Sequence, residues 1–153
     1  MLPERYEYTR SQSFKEYSFF SEGPKGRIQK IVSYSYLGSQ DGYDYYNLGF
    51  GDYDPVAKKV SDLKVSDNKD PDKVLTTIAA TAMEFTRQFP GRRIVVEGST
   101  PSRTRLYQMK IAKHYIMISE IFDIQGLTEN GTLIPFEKGK SFSAFVAELI
   151  VNL

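Results

Sequence analysis

The chain has 153 residues, of which 41% are hydrophobic and 25% charged, and its formal net charge is +1. This composition is typical of one globular domain covering residues 1–153, and the near-zero charge argues against bulk attraction to nucleic acid or anionic membranes. With no cysteine and one histidine, the sequence excludes disulfides and thiolate catalysis, and we expect no bound metal. The polar start of the sequence and the lack of a long apolar run predict a cytoplasmic protein without a membrane span.

The first half of the chain predicts three or four antiparallel strands. Residues 14–20 are rich in aromatic side chains, and residues 27–37 alternate between apolar and polar positions. A Gly-Pro-Lys-Gly turn joins these two segments, which indicates a hairpin. Residues 43–53 form a third alternating segment, and residues 60–65 suggest a short fourth strand.

The second half predicts two helices separated by a buried strand. Asp70 and Pro71 supply an N-cap and a first-turn proline, so a helix is expected over residues 71–88, before Pro90-Gly91. The β-branched residues 94–96 indicate a strand, and a second helix is expected over residues 101–114. The matching phases of helix and strand patterns predict one shared core that contains Leu48, Phe50, Phe85, Phe89 and Val95.

The remaining segments predict further strands, one of them ambiguous. Residues 119–127 indicate a strand, and Asn130-Gly131 favours a tight turn into an edge strand at residues 132–136. Residues 142–149 fit either a helix or a strand, with a slight preference for a strand. The order of elements predicts an α+β fold, a mainly antiparallel sheet with two helices (71–88 and 101–114) packed on it.

The most informative stretch is the turn from the central strand into the second helix. Gly98 permits a tight turn, Ser99 or Thr100 supplies the N-cap, and Pro101 suits the first helical position. Free amides at a helix start favour an anion, and nearby arginines add charge-assisted donors. We therefore predict an anion-binding turn formed by Gly98, Ser99, Thr100, Ser102, Arg103 and Arg105. Of the two arginines, Arg103 is expected to lie closer to the anion, with Arg105 at the rim or paired with an acid.

Other interpretations of these residues and of the tyrosines remain open. The same turn is also typical of an ordinary capped helix, with the arginines paired to acids such as Glu97 and Glu120. The tyrosines around residues 34–53 suit either a half-buried sheet face or a base-stacking surface. Since acidic residues lie among them in place of basic ones, we expect no nucleic-acid partner.

Two resemblances to known families accompany these patterns. The runs VVEGSTPSRTRLYQMKI and FDIQGLTENGTLIPFEKGKSFSAF resemble an uncharacterised bacterial family of unknown function, from about Tyr6 onward. The helix after the turn also resembles the C-terminal half of GCN5-related acetyltransferases, which implies that Tyr107 protonates a leaving thiolate. The asparagine and the glycine-containing pyrophosphate loop of those enzymes have no counterpart here, so no cofactor is expected.

The sequence therefore favours a non-catalytic cytosolic binding domain for a small anionic ligand or a protein partner. The alternative is an acyltransferase-like enzyme that acts on an acyl or phosphate-containing ligand, with Tyr107 as its acid. A structural subunit of a larger assembly is a third hypothesis.

Overall fold

The computed structural model describes residues 4–61 and 67–150, and within them the chain forms nine strands and three helices. The strands are β1 (Tyr8–Arg10), β2 (Glu16–Gly23), β3 (Gly26–Gln40), β4 (Tyr43–Asp54), β5 (Lys59–Ser61), β6 (Arg92–Val96), β7 (Phe122–Leu127), β8 (Leu133–Pro135) and β9 (Ala144–Leu149). The helices are α1 (Pro71–Gln88), α2 (Pro101–Lys113) and α3 (Tyr115–Ile121). These elements confirm the predicted α+β class with a mainly antiparallel sheet.

The chain divides into two compact units. The first comprises Met1–Ser35 and Gly49–Gln88, and the second comprises Tyr36–Leu48 and Phe89–Leu153. Strands β3 and β4 are long and contribute residues to both units.

The strands of the first unit pair in an antiparallel manner. β1 pairs with β2, β2 pairs with β3 from Glu16↔Ser33 to Gly23↔Gly26, and β5 pairs with the end of β4. Gly26 has φ of 88°, which suits the tight turn between β2 and β3. The hairpin expected from the Gly-Pro-Lys-Gly turn is therefore confirmed.

Helix α1 packs through threonine and aromatic side chains in the same unit. The rings of Tyr34 and Phe85 stack with centroids 4.3 Å apart, and both side chains are buried. The Tyr34 hydroxyl lies 2.9 Å from the Thr81 hydroxyl, which itself donates to the carbonyl of Ile78. Because each buried hydroxyl has a partner, α1 tolerates polar side chains on its inward face.

Tyr34 also makes the stability of the fold sensitive to alkaline pH. Burial raises the pKa of its hydroxyl above the ordinary value, although the bond with Thr81 acts in the opposite direction. Because the pKa is raised in the folded state, the contribution of protonated Tyr34 to the free energy of unfolding is complete below about pH 10. It is lost as pH rises above that value. Between about pH 10 and 11.5, we expect the free energy of unfolding to fall less for Tyr34→Phe than for the wild type.

Urea titrations at several pH values measure this difference. The exposed Tyr36 provides the matched control, and Tyr36→Phe should follow the wild-type pH dependence. Parallel pH profiles for Tyr34→Phe and the wild type would show that Tyr34 does not report on alkaline unfolding.

The second unit contains the single parallel strand pair found among the described residues. β4 runs parallel to β6, with Tyr46 opposite Ile94. β6 then pairs antiparallel with β9, β9 with β7, and β7 with β8. The buried rings of Phe136, Phe142 and Phe145 pack together with centroids 5.8 to 6.0 Å apart.

Several boundaries differ from the sequence-based expectation. The helical region extends through α3 to Ile121, so the strand expected over residues 119–127 begins only at Phe122. The ambiguous segment 142–149 is a strand from Ala144, as preferred, and strand β1 was not predicted. Of the strand expected over 60–65, residues 62–66 lie outside the described residues.

The predicted shared core is wrong for Phe89. Phe85 and Phe50 are buried in the first unit, and Leu48 and Val95 are half-buried in the second. Phe89 is 38% exposed, with the Arg92 guanidinium 3.6 Å from its ring centroid. The physical reason is that α1 ends at Gln88, so Phe89 no longer lies on the inward face of the helix.

Candidate functional site

The turn between β6 and α2 is built on a hydrogen-bonded helix start. The Thr100 hydroxyl accepts the amide of Arg103 at 3.2 Å, and the Thr100 carbonyl accepts the amide of Thr104 at 3.0 Å. Thr100 is thus the N-cap, and Pro101 takes the first helical position. The sequence predicted an N-cap at Ser99 or Thr100 and Pro101 at the first helical position. The structure has the cap at Thr100.

The capping bonds limit how many donors remain for a ligand. The amides of Arg103 and Thr104 are already used within the turn. The amides of Ser99, Thr100 and Ser102 have no hydrogen-bond partner among residues 4–61 and 67–150. These three amides are therefore the backbone donors available at the positive end of the α2 dipole.

Gly98 allows the strand to approach the first turn of α2 very closely. A Cβ at this position would lie 2.4 Å from the Thr104 nitrogen and 2.6 Å from the carbonyl carbon and Cβ of Arg103. The Gly98 amide donates to the Thr104 hydroxyl at 3.0 Å, which fixes this approach. The φ angle of Gly98 is not in the positive range, so close approach and not backbone strain requires glycine here.

A pocket of about 670 Å³ opens at this turn, entirely within the second unit. This volume is typical of sites for small ligands. The turn, one side of α2, the β7–β8 turn and the segment before β9 form its wall. The lining residues are Glu97, Gly98, Ser99, Thr100, Pro101, Thr104, Arg105, Gln108, Met109, Ala112, Glu129, Gly139, Ser141, Phe142 and Ser143.

The pocket contains some of the predicted site residues but not all of them. Gly98, Ser99, Thr100 and Arg105 line it, whereas Ser102 and Arg103 do not. Arg103, which was expected to lie closer to the anion, is thus outside the lining of this pocket, and Arg105 lies in it.

Helical geometry explains which arginine reaches the pocket. At about 100° per residue, Arg105 lies within about 40° of Pro101 and Met109, two other lining residues, whereas Arg103 points about 160° away from Arg105. Tyr107 is about 200° from Arg105 and is absent from the lining. The side chain that the acetyltransferase resemblance singles out thus lies outside the pocket.

Gln108 joins the two walls of the pocket. Its amide nitrogen donates to the carbonyl of Lys140, and its side-chain oxygen accepts the amide of Phe142 at 3.4 Å. The residue thus ties α2 to the segment before β9, which brings Ser141 and Ser143 to the pocket wall.

The charges in the pocket are mixed. Arg105 is the one cationic side chain in the lining, and Glu97 and Glu129 are the two anionic ones. Neither Arg103 nor Arg105 forms an ion pair with any described residue, so the expected pairing with Glu97 or Glu120 is not observed. The Arg105 side chain is exposed, and its guanidinium remains available to a ligand.

Residues of the tyrosine-rich segment and of the acidic segment before α1 have partners within the protein. The Arg93 guanidinium lies 3.6 Å from the ring centroid of Tyr43 and donates to the Tyr45 hydroxyl at 3.0 Å. In the acidic segment before α1, Asp70 accepts the hydroxyls of Tyr6 and Ser21, both at 2.6 Å. Both groups of residues thus have structural partners in place.

Sequence reasoning missed the half of the pocket that lies far along the chain. Glu129, Ser141 and Ser143 belong to loops that meet α2 only through tertiary packing. The local signals were present, because Asn130-Gly131 and Gly139 mark the two loops, and Gly131 and Gly139 have φ of 84° and 82°. Nothing in the sequence indicated that these loops face the helix start.

Comparison with known proteins gives a family but no activity. Among the described residues, no helix is long and apolar enough to cross a membrane. No curated protein and no solved structure matches the chain. A family model described as "Family of unknown function (DUF6934)" matches residues 3–150. The expected membership of a family of unknown function is thereby confirmed: the chain belongs to the DUF6934 family.

Proposed function

We propose that this chain is a binding domain whose pocket at the start of α2 holds a small ligand through an anionic group. The observation that carries the proposal is the convergence of Arg105 with the strand-to-helix turn in one pocket of about 670 Å³. The amides of Ser99 and Thr100, two lining residues, are backbone donors in the same turn. Amides at a helix start combined with a guanidinium suit phosphate or carboxylate oxygens.

The rest of the lining favours a ligand that is more than a simple anion. The carboxylates of Glu97 and Glu129 accept hydrogen bonds, so they favour ligand groups that donate. The hydroxyls of Ser99 and Ser141 can donate and accept, whereas the Ser143 hydroxyl donates to the carbonyl of Leu127 and can only accept from a ligand. A ligand with an acidic end and a donor-rich body therefore matches the pocket best.

The test compares two arginines that are close in sequence but differ in position. Small phosphates and carboxylates are titrated into the wild type, Arg105→Ala and Arg103→Ala, with binding measured by calorimetry. We expect Arg105→Ala to weaken binding about tenfold, because a charge-assisted hydrogen bond is lost. Arg103→Ala should change the affinity much less, since Arg103 is not part of the lining.

Ionic strength adds a second measurement to the same experiment. Because Arg105 is exposed, wild-type affinity should fall as salt rises. Equal losses for both variants, or no binding of any phosphate or carboxylate, would contradict the proposed function.

A further inference from the structure

The outward surface of α2 exposes large apolar side chains beside the pocket. Leu106 is 54% exposed and Met109 is 61% exposed, and Ile116 at the start of α3 is 77% exposed. Single exposed apolar residues are common on soluble proteins, but a cluster that adjoins a pocket indicates an interaction surface. We call Arg105, Leu106 and Met109 the outer strip.

The outer strip is continuous with the pocket. Arg105 and Met109 both line the pocket and are both exposed. Leu106 lies about 60° beyond Met109 around the helix, on the solvent side. The apolar surface of the strip therefore adjoins the pocket.

The helix that carries the strip is basic, whereas the pocket beside it also holds the carboxylates of Glu97 and Glu129. α2 contains four basic residues and no acidic one: Arg103, Arg105, Lys110 and Lys113. The segment that Gln108 ties to α2 adds Lys138 and Lys140 against one acid, Glu137. An acidic partner is therefore complementary to this surface.

We propose that the pocket and the outer strip together bind a segment of another protein that carries both acidic and large apolar side chains. The proposal rests on the proposed function, because a carboxylate of the segment takes the anionic position at Arg105. Apolar side chains of the segment cover Leu106 and Met109. Its backbone N–H groups donate to Glu97 and Glu129, which line the same pocket.

Two other occupants fit the observations less well. A second copy of the chain placed face to face on the strip would bring Arg105 and Lys110 against the same charges, which is unfavourable. An anionic lipid surface presents phosphate oxygens, which are acceptors, to the carboxylates of Glu97 and Glu129. A peptide supplies both the negative charge and the donors.

The experiment uses the intact chain and a displayed library of random peptides of about twelve residues. Peptides are selected on the wild type and then measured individually against Leu106→Asp, Arg105→Ala and the control Val56→Asp. Val56 is also highly exposed but lies in the other unit, so its variant carries the same substitution away from the strip. Thermal melting checks that all three variants remain folded.

We expect the selected peptides to have a net negative charge and at least two large apolar residues. Leu106→Asp and Arg105→Ala should each weaken their binding about tenfold, and Val56→Asp should leave it unchanged. Vesicles of phosphatidylglycerol, tested in parallel, should not bind.

Several results would overturn the inference. The inference fails if the selected peptides lack acidic residues or if their binding is insensitive to Leu106→Asp. It also fails if no peptide is selected or if the chain binds the vesicles preferentially. If phosphate or acetate still binds through Arg105 in any of these cases, the proposed function survives while the peptide inference fails. If neither small anions nor peptides depend on Arg105, both fail.

Discussion

Asp52→Ala should lower the free energy of unfolding by about 3–5 kcal/mol, which makes it the most damaging single change that we expect. Asp52 forms an ion pair with Lys30 inside the first unit, where Lys30 is 1% exposed and Asp52 is 7% exposed. Removal of the carboxylate takes this charge interaction away from the buried ammonium group of Lys30, and that part of its desolvation cost is then no longer offset. Urea denaturation followed by circular dichroism measures the loss.

Two further variants separate the ion pair from general damage. Replacement of both partners, Lys30→Met with Asp52→Leu, should recover most of the stability, because neither buried charge of this pair remains. Glu22→Ala removes one partner of the exposed pair with Arg27, whose atoms are 3.9 Å apart, and should cost less than about 1 kcal/mol. If Asp52→Ala is as mild as Glu22→Ala, the buried pair does not support the fold.

Gly98→Val should destabilise the protein by about 1–3 kcal/mol and weaken ligand binding at the turn. The new Cβ would overlap the backbone of Arg103 and Thr104, with the Thr104 nitrogen only 2.4 Å away. Since these atoms belong to the first turn of α2, either the helix start or β6 must shift. Such a shift would also disturb the bond from the Gly98 amide to the Thr104 hydroxyl.

Thermal and urea unfolding measure the effect of Gly98→Val, with Ser99→Ala as the control. Ser99 is the next residue and is exposed, so its replacement should change stability by less than about 0.5 kcal/mol. Wild-type stability for Gly98→Val would show that the turn does not hold β6 and α2 as closely as described.

Local chemistry made the start of α2 predictable from sequence. A threonine followed by proline after a single glycine leaves few alternative starting points for the helix. The structure accordingly has Thr100 as the cap and Pro101 at the first helical position. The first-turn signals of α1, Asp70 and Pro71, were equally reliable. These predictions depend only on residues adjacent in the chain.

The structure departs from the sequence-based expectations where tertiary packing decides. Arg103 was favoured because it lies in the first turn, but the side of α2 that faces the pocket is set by the segment before β9 and contains Arg105. The contact through Gln108 joins residues more than thirty positions apart, and no local pattern marks it. Phe89 was assigned to the core by extending the helical phase one residue beyond the end of α1 at Gln88.

The most direct test of the proposed binding site is an NMR titration of the ¹⁵N-labelled chain with inorganic phosphate. The account predicts that the amides of Ser99 and Thr100 shift most, because they are unpaired donors at residues that line the pocket with Arg105. The amides of Arg103 and Thr104 should shift less, since they keep their bonds to Thr100. Shifts that are largest elsewhere in the chain, or that persist unchanged in Arg105→Ala, would contradict an anion site at this turn.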